Sequence, residues 1–267
     1  MRLANKGFNK EEIAEQIELP PTLGQEFFNR DYYGTVHHNS RAVYVKYLGY
    51  FDGNPANLYP LPRAESSKKY IECMGGVEAT YQKALKDFKN GEYRWVAELL
   101  NHAVNVQPEH EEARSLLADT YEQLGYQSES APWRNFYLCG AKELRYGVPE
   151  GSVYSASEGT IRGMPLDNLF KAMAVRLIPT KVEGLELAIN LNFTDLSEQF
   201  RLEIRNSVLH GFKNSARKKA STELTMSSLN FKRMISGLTS AIELIKKNEM
   251  QIEGALEVLL LLSLIHI

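Results

Sequence analysis

The sequence predicts an α+β multidomain chain, an all-α helical part followed by an α+β part built on an antiparallel sheet. Two observations carry that prediction. Between Arg63 and Arg145 apolar residues recur at the spacing of an amphipathic helix, whereas from Leu185 onward they alternate as on a half-buried strand. The change of period falls across Gly147 to Gly163, a stretch rich in Gly, Pro and Ser that reads as a linker. With 267 residues, 43% hydrophobic and 24% charged, the chain has enough apolar material for two separate cores.

The first elements are short. Asn9 followed by Glu12 forms a capping box ahead of Ile13, Ala14 and Ile17, so a helix is predicted over Lys10 to Glu18, stopped by Pro20-Pro21. A second helix is predicted from Thr22 to Asn29 and, after the turn at Tyr32-Tyr33-Gly34, a third from Arg41 to Leu48. Asp52-Gly53-Asn54-Pro55 through Pro60-Leu61-Pro62 is a turn-rich connector and gives the first domain boundary.

The helical faces then follow in order: Tyr70/Met74, Tyr81/Ala84/Leu85/Phe88, Val96/Leu99/Leu100/Ala103/Val104, Ala113/Leu116/Leu117/Thr120/Tyr121/Leu124 and Phe136/Tyr137/Ala141/Leu144. The turn at Gly91-Glu92-Tyr93 recurs as Gly125-Tyr126 at a spacing of 34, which resembles a tetratricopeptide helical hairpin. Fewer than three repeats are present, so a packed helical domain is expected rather than a peptide-binding solenoid. Tyr93, Trp95, Trp133 and Tyr137 share this spacing and read as core, with a recognition surface as the alternative.

Past the linker, a helix at Leu166 to Leu177 precedes Leu185/Leu187/Ile189/Leu191/Phe193, Phe200/Leu202/Ile204, Val208 to Phe212 and Thr222/Leu224/Met226. Turns at Thr194-Asp195 and Arg205-Asn206 suit an antiparallel meander. Helices are predicted at Ser228 to Ser236, Thr239 to Lys247 and from Ala255 onward. The apolar faces here fit either a tunnel for an alkyl chain or a filled core.

A net charge of -2 and a pI near 6.3 give no footprint for nucleic acid, and Lys213, Arg217, Lys218 and Lys219 read as a solvated loop. The apolar end from Gly254 to Ile267 is too short for a membrane span of about 20 residues and reads as a buried last helix. The start lacks the apolar stretch of a signal peptide, and the compartment stays open, secretion or a periplasmic site of the full-length protein included. Cys73 and Cys139 lack metal-type spacing and read as unpaired structural cysteines. Adjacent His37 and His38 could supply one metal ligand, but a hydrolytic zinc site needs three or more protein ligands and an open water position. His102 reads as a packed helix residue, His110 as a helix-start residue bonding exposed backbone groups, and His210 as a strand residue without metal-ligand spacing. No Ser/His/Asp order, glycine-rich phosphate loop or paired carboxylates stand out.

Three blocks together resemble one family. They are Tyr32-Tyr33-Gly34-Thr35-Val36-His37-His38-Asn39 with Gly53-Asn54-Pro55; Gly91-Glu92-Tyr93-Arg94-Trp95-Val96-Ala97-Glu98-Leu99-Leu100-Asn101-His102; and Leu124-Gly125-Tyr126-Gln127 with Trp133-Arg134-Asn135-Phe136-Tyr137-Leu138. The family is the alkyl sulfatases of the metallo-β-lactamase superfamily. Asn192-Phe193-Thr194-Asp195, Leu202, Arg205-Asn206-Ser207-Val208-Leu209 and Ile252-Glu253-Gly254 more weakly resemble its sterol-carrier-like C-terminal domain. The resemblance implies a two-zinc hydrolase that cleaves alkyl sulfate esters, such as dodecyl sulfate, into alcohol and sulfate, and that forms a homodimer.

It also implies a division into the end of a catalytic domain over 1–62, a helical dimerisation domain over 63–147, a linker over 148–163 and a sterol-carrier-like domain over 164–267. His38, directly before Asn39, matches the family's last zinc ligand; His37 falls at a variable position. The His-x-His-x-Asp-His motif and bridging carboxylates are expected upstream of Met1, so this chain alone is expected to be inactive. Ala255 and the last dozen residues depart from the family pattern. The alternative function is a stand-alone helical-repeat and lipid-binding protein, which has no evident use for the Tyr-Tyr-Gly-Thr-Val-His-His-Asn segment.

Overall fold

Residues 1–150, 157–196, 198–213, 220 and 222–254 are described by the computed structural model. They divide into two units, Met1–Glu150 and Gly151–Ile267. In the first unit the capping box forms as expected: Asn9 accepts from the Glu12 amide and Glu12 accepts from the Asn9 amide, starting α1 (Lys10–Gln16). The helix expected from Thr22 to Asn29 is instead broken into α2 (Pro21–Gly24) and a 3-10 turn at Phe27–Asn29. A short helix needs a buried face to hold it, and here Phe27 and Phe28 are 73% and 77% exposed.

The next helix, α3 (Val36–Leu48), begins five residues earlier than the sequence predicts. Thr35 caps it by accepting from the His38 amide, which places both His37 and His38 in the first turn rather than in a loop. Buried Ile13 and Ala14 on α1 and Tyr44 on α3 mark where these two helices pack.

Five helices follow: α4 (Arg63–Cys73), α5 (Val77–Lys89), α6 (Tyr93–Val106), α7 (Glu111–Gln127) and α8 (Ala131–Tyr146). Ile71, Ala84, Val96, Leu99, Leu100, Ala103, Ala113, Leu116 and Leu117 form their buried core. Most of the expected faces point inward, but Phe136 is 83% exposed and Tyr70 is also exposed. The expected repeat of the Gly91 turn at Gly125 fails. Gly91 lies between helices with φ at 83°, whereas Gly125 is inside α7, where an added Cβ would meet Leu138 and Tyr137 of α8 at 3.1–3.3 Å. Gly125 therefore permits the close approach of α8 rather than a turn.

The polar histidines are satisfied locally. His102 Nδ1 shares a 3.0 Å hydrogen bond with the hydroxyl of buried Ser67, joining α6 to α4. His110 caps α7, its Nδ1 accepting from the Ala113 amide at 3.2 Å, in the helix-start role expected of it. Cys73 and Cys139 are free and exposed. No helix among the described residues is long and apolar enough to cross a membrane.

In the second unit, part of the expected linker is a helix, α9 (Glu158–Gly163), capped by Ser157 and anchored by buried Ile161. Gly151, Ser152 and Ser155 of that linker lie outside the described residues, as do Arg217, Lys218, Lys219 and the helix expected from Ala255 onward. Then come α10 (Leu166–Arg176), β1 (Leu187–Phe193), β2 (Gln199–Arg205), β3 (Val208–Lys213), β4 (Thr222–Met226), α11 (Ser228–Ile235), α12 (Ala241–Lys246) and β5 (Met250–Gly254). Lys213, the described member of the basic cluster, pairs with Glu198. His210 lies in β3 opposite Glu203.

The helical part followed by a five-stranded, mostly antiparallel sheet agrees with the expected fold class, but the sheet is not a simple meander. Its order is β3-β2-β1-β4-β5, with β1 and β4 parallel and the other pairs antiparallel. Placing β4 beside β1 fills that strand's second edge and sets Leu224 and Met226 level with Leu191 and Phe193, so backbone pairing and apolar burial are met together. The strand β5 was missed because Met250 and Ile252 give too short an alternation to recognise.

Phe170, Phe193, Phe200 and Phe231 fill the sheet's helix-covered face with ring centroids 5.4–6.2 Å apart. Gly211 is required beneath them, since an added Cβ would lie 2.9 Å from Phe170 Cβ. Gly211→Val is expected to lower stability by about 1–3 kcal/mol through overpacking, read by denaturant unfolding. At the β2–β3 hairpin Asn206 and Ser207 both have positive φ, 52° and 60°, the pattern of a type I′ turn. Ser207→Gly is expected to raise the melting temperature slightly, worth less than about 1 kcal/mol, by removing that strain.

Candidate functional site

The segment before α3 is tied to the turn between α7 and α8 by three contacts. Arg30 pairs with Glu129, the Tyr32 carbonyl accepts from the Ala131 amide at 2.9 Å, and the Tyr33 carbonyl accepts from the Ser130 hydroxyl at 2.8 Å. Ser130 is buried and also caps α8, accepting from the Trp133 amide. On the other side, the Asp31 carboxylate accepts from the Val36 amide at 3.2 Å and Thr35 accepts from the His38 amide at 3.0 Å. The Asp31, Thr35 and Ser130 side chains and the Tyr32 carbonyl thus satisfy amides in both first turns, which fixes the starts of α3 and α8 side by side.

That arrangement brings His38 onto Trp133. The indole Nε1–H donates to His38 Nδ1 at 3.1 Å, with the ring centroids 4.5 Å apart, while His37 approaches the same indole edge-on at 5.6 Å. An indole nitrogen only donates, so His38 Nδ1 is the acceptor and the ring proton of the neutral imidazole sits on Nε2. Partial burial, then Arg41, then His37, hold the His38 pKa below the usual imidazole range, which favours this neutral form.

Around these rings lies an open cavity of about 620 Å³. Its charged lining is mixed, Arg41 and Arg94 beside Glu15, Asp31 and Glu129; Arg94 bonds Glu15 at 2.8 Å and Arg41 reaches Glu11 at 3.4 Å. Arg94, by hydrogen bond and charge, holds Glu15 below the usual carboxylate range. Leu124, Trp133, Phe136 and Tyr137 also line the cavity.

The predicted ligand His38 is in this cavity with His37; His102, His110 and His210 do not line it. Among the described residues no group of three or more His, Cys, Asp or Glu is placed to hold a metal ion. The residues present therefore do not make a zinc site by themselves, as the single lone pair of neutral His38 is already engaged by Trp133. Sequence reasoning missed Arg41, Arg94 and Glu15 as lining groups and took Trp133 for core. No local pattern signals a contact between residues 95 apart.

Residues 9–147 match the family model described as alkyl sulfatase dimerisation, and residues 154–265 match alkyl sulfatase C-terminal. The chain is 43% identical over 255 residues to a linear primary-alkylsulfatase of Pseudomonas sp, covering 95% of this chain and 38% of that protein. It is 40% identical over 254 residues to the alkyl/aryl-sulfatase BDS1 of Saccharomyces cerevisiae, covering 95% of this chain and 39% of that one. The solved stereoselective inverting sec-alkylsulfatase Pisa1 from Pseudomonas sp. matches with a TM-score of 0.90 at 38% identity, covering 98% of this chain and 41% of that chain. The chain spans about two fifths of the length of these relatives.

Ser130→Ala removes the α8 cap and the clamp on Tyr33 together, and is expected to cost about 1–2 kcal/mol of stability in denaturant unfolding.

Proposed function

The chain belongs to the alkyl sulfatase family, and on that premise we propose that the whole protein hydrolyses alkyl sulfate esters, such as dodecyl sulfate, to an alcohol and inorganic sulfate. One observation supports this reading most directly: His37 and His38 are held by capped helix starts at a cavity that Arg41, Arg94 and the apolar Leu124, Trp133 and Phe136 also line. Residues 1–62 contribute the end of the catalytic domain. His38 is one ligand of a two-zinc centre whose other ligands lie beyond the described residues, and zinc would supply the activation of water there. Residues 63–147 form a homodimer, a role supported by the dimerisation model and by exposed Trp95, Tyr126 and Tyr146 on the helices. Residues 164–267, sterol-carrier-like, bind the alkyl chain.

The 267-residue chain alone is expected to release no sulfate from dodecyl sulfate at an enzymatic rate, even with zinc added. Zinc-dependent release abolished by His38→Ala would overturn this assignment of the missing ligands. Light scattering over a wide concentration range is expected to show a dimer, and a folded chain that stays monomeric at high concentration would count against the dimer. Titration with unreactive alkyl sulfonates below micelle formation is expected to show affinity rising by roughly 0.8 kcal/mol per methylene until the site is filled.

A further inference from the structure

We propose that the outward face of α8 pairs, antiparallel, with the same face of a second copy of this chain, so that Phe136 of each copy packs on the partner's Tyr146. The proposal rests on the homodimer reading and names the surface that carries it.

The inner side of α8 faces α7: Ala141 is buried, and Tyr137 and Leu138 lie where a side chain at Gly125 would stand. The outer side carries Phe136, Cys139, Glu143 and Tyr146, all exposed, the two aromatic side chains by 83% and 79%. Steps of three, four and three residues set these four on one stripe, the spacing of a seam along which one helix packs against another. Two large aromatic side chains left bare on one stripe are surface for a partner to cover.

The spacing selects that partner. Three, four, three reads the same from either end, and a two-fold interface requires that where one residue meets a second, the second meets the first. With the axis level with Ala141, Phe136 falls opposite the partner's Tyr146 and Cys139 opposite the partner's Glu143, each twice. Aromatic pairs then close both ends of the seam, and small Cys139 leaves its middle narrow. Exposed Lys142 comes within one helical turn of the partner's Glu143, so this face is complementary in charge to its own copy. A parallel pairing would instead set Glu143 against the partner's Glu143. The family model for dimerisation contains the whole of α8. The pairing also reaches the cavity: Phe136 lines it with His38 and Trp133, so the partner's Tyr146 stands at its edge.

The test uses the full chain carrying Cys73→Ser, which leaves Cys139 as its one cysteine. The two Cys139 positions lie on the same seam, offset by about 6 Å along the helices. A short bismaleimide is expected to give a covalent dimer that Cys139→Ser abolishes. Sedimentation equilibrium then reads a charge-reversal set. Phe136→Glu and Tyr146→Arg are each expected to weaken the dimer roughly tenfold or more, because each removes both aromatic pairs. The double variant is expected to recover most of that loss through Glu–Arg pairs across the axis. Both positions are exposed, so the single variants are expected to keep the helical circular dichroism of the parent chain.

A chain that stays monomeric at high concentration overturns the homodimer reading and this seam with it. A dimer that forms without the Cys139 cross-link and is unmoved by Phe136→Glu overturns the seam and leaves the homodimer reading standing. A double variant no tighter than either single overturns the antiparallel pairing. The cross-link needs no substitution at the aromatic positions, so the seam stays testable even if a single variant folds poorly.

Discussion

Ser130 carries two constraints with one hydroxyl group, and the geometry of the cavity depends on both. As the cap of α8 it satisfies an amide that the helix leaves exposed; as a donor to the Tyr33 carbonyl it anchors a chain segment 97 residues away. The buried environment of this group makes either loss costly, because the partner left behind would be an unsatisfied polar atom. With Thr35 and Asp31 closing the start of α3, the two helix starts are set side by side, and the imidazoles and indole meet as a result.

The second unit shows the same economy in a sheet. Its central strand β1 receives β2 on one edge and β4 on the other, and the parallel β1–β4 pairing keeps both backbone bonding and the apolar register. The Phe170, Phe193, Phe200 and Phe231 cluster then fills the face above it, which is why Gly211 has no room for a side chain. Hydrophobic burial sets which face turns inward, but the strand order follows from which edges must be paired.

Membership of the alkyl sulfatase family rests on two family models, which match residues 9–147 and 154–265. The cavity brings guanidinium, carboxylate and aromatic groups together: Arg41 and Arg94, Glu15, Asp31 and Glu129, and Trp133 and Phe136 all line it. Both imidazoles of the cavity, His37 and His38, meet the Trp133 ring, and His38 Nδ1 accepts from the indole N–H.

Helical periodicity placed α4 to α8, strand alternation placed β1 to β4, and the Asn9 capping box marked α1, because each of these is written within a few neighbouring residues. The Tyr-Tyr-Gly-Thr-Val-His-His-Asn run marks His38 by residue type alone. Other features depended on distant partners: the parallel seat of β4, the close approach allowed by Gly125, and the pairing of His38 with Trp133. Sequence determined local conformation and the identity of the chemical groups, since propensity and spacing are local properties. Only the tertiary structure decided which lone pair meets which donor, because that depends on how separate helix starts are capped and packed together.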